Sequence, residues 1–149
     1  MRILICGVGG QGVVLLARML CETAVRSGRR CLLSEFHGMS RMMGSVRATV
    51  KIGDYHSPEI DGVDLLIGLD PGETSKYLNL TTGRAVTLGE TSGAKSLTCK
   101  SNFPNTFMLG VVCRILGLQP RVAKAVIKEF GKMVDENISS FEEGYNHEA

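Results

Sequence analysis

Apolar residues along this chain form short runs that alternate with longer stretches of helical spacing, the order expected of an α/β protein. The short runs predict a first strand beginning at Arg2, further strands at residues 31–36, 46–53, 65–70 and 84–89, and an edge strand within 96–100. Helical spacing predicts helices over residues 12–27, 71–79, 120–132 and 134–145, and one that starts near Asn105 and is followed by Gly117. We therefore expect a three-layer α/β fold, a mostly parallel sheet with helices on both faces, in one domain spanning residues 1–149.

The first strand runs into a glycine-rich turn just before the first helix. Gly7, Gly9 and Gly12 fit the spacing G-x-G-x-x-G, in which small residues let a pyrophosphate approach the amides at the start of a helix. Gly10 adds conformational slack, and Gln11 adds an uncharged hydrogen-bond donor. No Lys-Ser or Lys-Thr pair follows Gly12, which excludes the P-loop of nucleoside triphosphatases. The turn is predicted to bind a phosphorylated ligand without hydrolysing it.

Strand, turn, helix and second strand together predict a Rossmann-like βαβ start, whose right-handed crossover makes the first two strands parallel neighbours. Glu35 closes the second strand 23 residues beyond Gly12, about where dinucleotide-binding folds hold an acid for the ribose hydroxyls. A purely structural Glu fits the pattern equally well. His37 lies two residues further on, where it can share a face with Glu35 or act as a hydrogen-bonded loop residue. The pattern leaves dinucleotides and other phosphorylated ligands open.

Composition narrows the class of protein. The chain of 149 residues is 44% hydrophobic and 21% charged, which indicates a globular protein. Its longest apolar runs are far shorter than the roughly 20 residues of a membrane span, and no secretory signal is recognisable, so we expect a cytoplasmic protein without a membrane anchor. Five cysteines without CxxC spacing predict reduced thiols. Three histidines at these spacings assemble neither a metal site nor a catalytic triad, and no catalytic residue is assigned.

The charge is unevenly distributed although the net charge is only +2. Residues 1–54 hold eight Lys or Arg against three Asp or Glu, a difference of +5, whereas residues 129–149 hold one against six, a difference of −5. The basic part either forms solvated surface or provides a positive field for a phosphorylated ligand. Aromatic residues make up only 5% of the chain, so nucleic acid is not an expected partner.

Four segments together resemble a known family. One segment near the start reads GVGGQGVVLLARML, and a second reads SEFHGMSRMMGSVRATVKIGD. Both resemble the gamma subunit of 2-oxoacid:ferredoxin oxidoreductases. The branch it resembles most is the beta subunit of indolepyruvate oxidoreductase. PNTFMLGVVCRILGL is similar to the Asn-initiated helix of that family, and VDENISSFEEGY to its closing Asn, Phe and Gly-Tyr pattern.

The resemblance implies an accessory subunit of an enzyme that oxidatively decarboxylates a 2-oxoacid, such as pyruvate or indolepyruvate, to an acyl-coenzyme A and reduces ferredoxin. It implies thiamine diphosphate, magnesium and 4Fe–4S clusters on partner subunits, and coenzyme A on this chain. It also implies a hetero-oligomer, with a homodimer as the alternative for the isolated chain. The residues expected to contact coenzyme A are Gly7, Gly9, Gly10, Gln11, Gly12, Glu35, His37, Gly38, Met39, Ser40 and Arg41.

Two departures from the family pattern set this chain apart. Arg41, Met42 and Met43 replace a Gln-Arg-Gly run in the segment after HGMS, and the connection between residues 89 and 105 is shorter than usual. The alternatives to an oxidoreductase subunit are a stand-alone module that binds NAD or FAD and a purely structural paralogue.

Overall fold

The computed structural model describes residues 1–37, 44–57, 59 and 61–147, and for His37 the backbone alone. The strands are β1 (Arg2–Val8), β2 (Cys31–His37), β3 (Ser45–Ile52), β4 (Val63–Gly68), β5 (Thr81–Leu88) and β6 (Lys95–Leu97). The helices are α1 (Val13–Arg26), α2 (Pro71–Ser75), α3 (Pro104–Leu116), α4 (Pro120–Phe130) and α5 (Val134–Tyr145), with a 3₁₀ turn at Leu78–Leu80. The elements expected from the hydrophobic pattern are thus confirmed, with bounds shifted by a few residues.

The described strands form one mixed sheet in the order β2-β3-β1-β4-β5-β6. β1, β4, β5 and β6 are parallel neighbours, whereas β3 pairs antiparallel with both β1 and β2. The expectation that β1 and β2 are neighbours is therefore wrong. The chain turns back after β2, and β3 lies between β2 and β1, paired with one on each side.

Helices cover the two faces of the sheet unequally, and the alternating side chains of each strand serve both faces. Ile3 and Ile5 of β1 point into the main core beneath α1, α3, α4 and α5. Leu4 and Cys6 point to the opposite face, where they meet a smaller cluster beside α2 and the 3₁₀ turn. Helices on both faces are thus confirmed. No helix among the described residues is both long and apolar enough to cross a membrane.

The backbones of α3 and α5 touch where they cross. A Cβ at Gly144 would lie 1.8 Å from the carbonyl oxygen of Phe107, and one at Gly110 would lie 2.1 Å from that of Phe141. Phe141 itself is fully buried. The closing Phe and Gly-Tyr pattern therefore has a packing role. In the shortened connection before α3, the described chain forms only the three-residue strand β6 and no helix.

Candidate functional site

The glycine-rich turn, residues 9–12, connects the end of β1 to the start of α1 and is called the Gly loop below. Gly12 precedes the first helical residue with φ 86°, a left-handed conformation that glycine adopts without strain. No side chain caps this end of α1, and its first turn carries no acidic residue. The first amides of a helix have no partner within the helix and lie at the positive end of its dipole. The start of α1, just beyond the Gly loop, therefore presents amides without a partner in the helix at an edge suited to an anion.

Gln11 uses both ends of its side-chain amide inside the protein. Its Oε1 accepts a hydrogen bond from the Val8 amide at 2.7 Å, and its Nε2 donates to the carbonyl oxygen of Leu69 at 3.3 Å. A side chain at Gly7 would collide with this arrangement, because its Cβ would lie 2.6 Å from Gln11 Oε1. The sequence pattern suggests Gln11 as a donor to a ligand. In the structure it joins the ends of β1 and β4 and so holds the shape of the Gly loop.

The start of β3 is tied to the Gly loop. The Gly9 amide donates to the carbonyl oxygen of Gly44 at 2.9 Å. Next along the chain, the hydroxyl of Ser45 donates to Glu73 Oε1 at 2.9 Å, and Lys76 donates to the same oxygen at 2.9 Å. The Glu73 side chain is only 9% exposed. No sequence signal points to this contact, because Glu73 comes from α2, 28 residues further along the chain.

Several expected ligand contacts fall on the segment between β2 and β3. Gly38, Met39, Ser40 and Arg41 lie outside the described residues, as does the side chain of His37. The segment that holds them leaves the sheet at the end of β2 and returns at the start of β3, beside the Gly loop. The ends of β2 and β3 that flank this segment therefore lie at the same edge of the sheet as the Gly loop.

Asn105, near the start of α3, lies directly against the Gly loop. Its Nδ2 is 2.6 Å from the place that a Cβ at Gly12 would occupy, and its Oδ1 accepts a hydrogen bond from the Thr106 amide at 3.0 Å. Sequence reasoning did not assign Asn105 to the site. One feature of the sequence could have pointed to it: Asn105 follows Pro104, and a proline of this kind marks the first turn of a helix.

Glu35 lies two strands away from β1, because β3 is between them. With strands about 4.8 Å apart, the separation across the sheet is roughly 10 Å. The Glu35 carboxylate also accepts two hydrogen bonds from Arg18 of α1, at 2.8 and 3.2 Å. In a dinucleotide-binding fold the ribose acid ends the strand next to β1. Glu35 therefore does not lie where a dinucleotide-binding fold holds the acid for the ribose hydroxyls, although its spacing from Gly12 suggested that position.

Three of the eight basic residues in residues 1–54 lie far from the Gly loop. Arg26, Arg29 and Arg30 lie at the opposite end of α1, about 20 Å away for a helix of this length. Arg26 pairs with Glu22 and Glu129, and Arg30 pairs with Asp54. These three arginines therefore contribute little to a positive field at the loop. The start of α1 supplies positive potential of its own there.

The cysteines are free, as expected. Burial raises the pKa of the Cys6 thiol to about 12, an effect that the hydrogen bond from Cys6 to Thr74 partly offsets. Burial alone raises the pKa of Cys113 to about 12. Both thiols are therefore protonated near neutral pH and poor nucleophiles. Within the described ranges, no three His, Cys, Asp or Glu side chains are grouped so that they could hold a metal ion.

The fold and the site define an α/β protein in which a glycine-rich turn leads from the first strand into an uncapped helix, a class suited to phosphorylated ligands. Comparison with known proteins gives the family. The chain belongs to the pyruvate ferredoxin/flavodoxin oxidoreductase family, whose pattern matches residues 2–93. The match contains the Gly loop, all of α1 and the first five strands.

Curated relatives agree with this family. Indolepyruvate oxidoreductase subunit IorB of Archaeoglobus fulgidus is 38% identical over 79 residues, which are 52% of this chain and 39% of the relative. This chain therefore matches well under half the length of that relative. The 2-oxoglutarate synthase subunit KorC of the same organism is 26% identical over 162 residues, covering 97% of this chain and 86% of the relative.

Solved structures share the fold over almost the whole chain. Pyruvate oxidoreductase subunit PORC of Thermotoga maritima superposes with a TM-score of 0.81 at 21% identity, covering 99% of this chain and 96% of that one. The 2-oxoglutarate:ferredoxin oxidoreductase of Magnetococcus marinus, solved with 2-oxoglutarate, coenzyme A and succinyl-CoA bound, has a TM-score of 0.81 at 14% identity. This chain covers 30% of that larger chain. The mixed sheet is thus the fold of these oxidoreductase subunits.

Proposed function

We propose that this chain is an accessory subunit of a 2-oxoacid:ferredoxin oxidoreductase, in which it binds coenzyme A and helps to assemble the complex. The observation that carries the proposal is the family match over residues 2–93, which spans the Gly loop and the uncapped start of α1. The complex oxidatively decarboxylates a 2-oxoacid such as indolepyruvate or pyruvate to an acyl-coenzyme A and reduces ferredoxin. The chain acts with its partner subunits and has no activity alone.

The pyrophosphate of coenzyme A is the part of the ligand that suits the Gly loop. A Cβ built at Gly10 would have no other atom of the described residues within 4 Å, so these residues leave the turn open on its outer side. The amides at the start of α1 are directed to the same edge of the sheet, and no carboxylate lies in the first turn to repel phosphate. Gln11 and the Gly9–Gly44 hydrogen bond hold the turn in this shape before a ligand arrives.

The redox and carbon chemistry belongs to the partner subunits in this proposal. The 4Fe–4S clusters are assigned there, since the cysteines of this chain are dispersed and the thiols of Cys6 and Cys113 are buried. Thiamine diphosphate with magnesium is assigned there because the family resemblance implies it. Cys6 lies under α2, where its thiol contacts the hydroxyl of Thr74. The role left to this chain is to hold and orient the coenzyme A that accepts the acyl group.

A binding experiment tests the proposal against its alternatives. Isothermal titration of the full chain, alone and in the purified complex, with coenzyme A, NAD and FAD should give saturable heat only with coenzyme A. Saturation by NAD or FAD instead would favour a dinucleotide-binding module. No heat with any of the three from the chain alone, together with coenzyme A binding by the complex that Gly10→Asp leaves unchanged, would favour a structural paralogue.

Two glycines provide a matched pair of variants. Gly10 and Gly28 have φ of 90° and 82°, and at neither would a Cβ meet another atom of the part of the chain that the structure describes within 4 Å. Aspartate therefore introduces the same charge with similar strain at both. Gly10→Asp should weaken coenzyme A binding by at least about tenfold, roughly 1.4 kcal/mol. Gly28→Asp, at the far end of α1, should leave the affinity unchanged. Equal affinities for the two variants would contradict phosphate binding at the Gly loop.

A further inference from the structure

We propose that Cys21 and Cys31 form a redox-sensitive pair, whose thiols an oxidant of the peroxide class converts into a disulfide within the chain. Cys21 lies on α1, and Cys31 is the first residue of β2. Both are free and partly buried, whereas Cys6 and Cys113 are fully buried. The pair lies in the half of α1 that is further from the Gly loop, so its chemistry is independent of a ligand bound there.

The turn between α1 and β2 sends the chain back along the helix. The amides of Gly28 and Arg29 donate to the carbonyl oxygens of Val25 and Ala24, both at 3.0 Å, and close the end of α1. β2 begins directly after this turn, runs in the direction opposite to α1 and packs against it. Residues close in sequence on either side of the turn therefore lie on facing elements.

An ion pair fixes the register of α1 against β2. Arg18 donates to both carboxylate oxygens of Glu35, at 2.8 and 3.2 Å. Cys21 follows Arg18 by three residues, on the same face of α1 and about 4.5 Å further along its axis. Cys31 precedes Glu35 by four residues and so points to the same face of the sheet. Because the two elements run in opposite directions, both steps lead from the ion pair towards the same end.

The two thiols are neighbours at that end. Cys31 packs against the main core, to which α1 contributes. Burial, and then the adjacent thiol of Cys21, raise the pKa of Cys31 above its ordinary value. Cys6 and Cys99 differ from this pair, since the thiol of Cys6 contacts the hydroxyl of Thr74 and that of Cys99 contacts Ser101. Position on the fold and contact between side chains thus single out the same two cysteines.

Oxidation of the pair takes place in two steps. Hydrogen peroxide transfers one oxygen atom to the first thiol, which gives a sulfenic acid and a water molecule. The second thiol loses its proton and attacks this sulfur, a sulfur–sulfur bond forms, and the sulfenic hydroxyl leaves with that proton as a second water. In total two electrons pass from the two sulfur atoms to the peroxide.

The environments of the two cysteines assign their roles. The raised pKa of Cys31 makes it the poorer nucleophile towards peroxide, so the sulfenic acid forms at Cys21 and Cys31 attacks it. That attack is intramolecular, and the high effective concentration of a neighbouring thiol offsets its low thiolate fraction. The disulfide can be reduced again, whereas a solitary sulfenic acid is oxidised further to a sulfinic acid. The pair therefore protects Cys21 from irreversible oxidation.

The experiment treats the full chain with one molar equivalent of hydrogen peroxide, blocks the remaining thiols with iodoacetamide in denaturant, and maps the peptides by mass spectrometry. Arg26, Arg29 and Arg30 lie between the two cysteines, so trypsin releases them on separate peptides that only a disulfide joins. We expect a joined Cys21–Cys31 pair that dithiothreitol separates. Closing a loop of about ten residues should also raise the thermal midpoint by about 5–10 °C.

Cys99→Ser is the matched control, because Cys99 is also free and partly buried. It should leave the joined peptides and the rise in thermal midpoint unchanged, whereas Cys21→Ser and Cys31→Ser should each abolish both. In Cys31→Ser, excess peroxide should convert Cys21 to the sulfinic acid. Circular dichroism before oxidation shows whether each variant is folded.

A second measurement on the unaltered chain needs no variant. Phenylarsine oxide binds two neighbouring thiols at once, and it should protect Cys21 and Cys31 of the native protein from iodoacetamide. The proposal is wrong if the arsenical leaves both thiols open to alkylation, or if the two peptides are joined only after denaturation. Sulfinic acid at Cys21 of the unaltered chain in place of the disulfide, or a disulfide between two copies, would equally overturn it.

Discussion

Replacing Gln11 by alanine tests whether this side chain braces the Gly loop or binds ligand. The change removes the acceptor of the Val8 amide, a bond of 2.7 Å, and the donor to the Leu69 carbonyl at 3.3 Å. Leaving a partly buried amide without a partner costs about 1–3 kcal/mol, and the longer bond adds about 0.5 kcal/mol. We therefore expect Gln11→Ala to lower the free energy of unfolding by about 1.5–3.5 kcal/mol.

The assay is urea unfolding followed by circular dichroism, together with a thermal midpoint. For a domain of this size each kcal/mol shifts the midpoint by about 2–4 °C, so a decrease of about 5–10 °C is expected. Gln119, the other glutamine, is exposed, and Gln119→Ala should shift the midpoint by less than about 1 °C. A Gln11→Ala variant with unchanged stability but much weaker coenzyme A binding would contradict the structural role of Gln11 and indicate that its side chain contacts the ligand.

Three further changes probe the fold and its charges. Gly144→Ala should destabilise the protein by more than about 2 kcal/mol in urea unfolding, because the new methyl group meets the Phe107 carbonyl at 1.8 Å, whereas the exposed Ser139→Ala on the same helix should be nearly neutral. The hydrogen bond from Arg2 holds the pKa of the Asp64 carboxyl below its ordinary value, so its stabilising contribution is complete at neutral pH and lost as the pH falls through the acidic range. The thermal midpoints of wild type and Asp64→Asn should accordingly differ at pH 7 and converge as the pH falls below the ordinary aspartate pKa of 3.8, and a difference independent of pH would contradict this account. Iodoacetamide at about pH 8 should label Cys6 only after denaturation, as read by peptide mass spectrometry, and labelling in the native state would show that its thiol is accessible.

Local sequence patterns predict the elements of this fold well, because each element carries its own signal. The run after Arg2 and the spacing of apolar groups in α1 are properties of neighbouring residues, as is Pro104 at the start of α3. Pairing between strands is different. The position of β3 beside β1 depends on a hairpin that brings Ser45 to Val8, a contact between residues 37 positions apart. No local pattern distinguishes that arrangement from a simple βαβ unit.

In the candidate site, too, local sequence patterns predict some features, whereas contacts between distant residues determine others. The Gly loop is recognisable because its glycines are close in sequence, but the residues that support it come from distant elements. Asn105 reaches Gly12 from α3, and Glu73 reaches Ser45 from α2. Counting charges along the chain does not show which of them lie near the loop. Arg26, Arg29 and Arg30 are close to it in sequence but are separated from it by the length of α1.

The reversed direction of β3 has a consequence for how this family can diversify. Because β2 and β3 form a hairpin, the segment that joins them begins and ends at the edge of the sheet that holds the Gly loop. Its residues can be exchanged or their number altered without shifting the register of either strand, since the ladder from Cys31 and Ile52 to His37 and Val46 is set by the strands themselves. Arg41, Met42 and Met43, at which the sequence departs from the pattern it otherwise resembles, belong to this connection. One scaffold can thus change the side chains beside a constant Gly loop by changing a single hairpin connection.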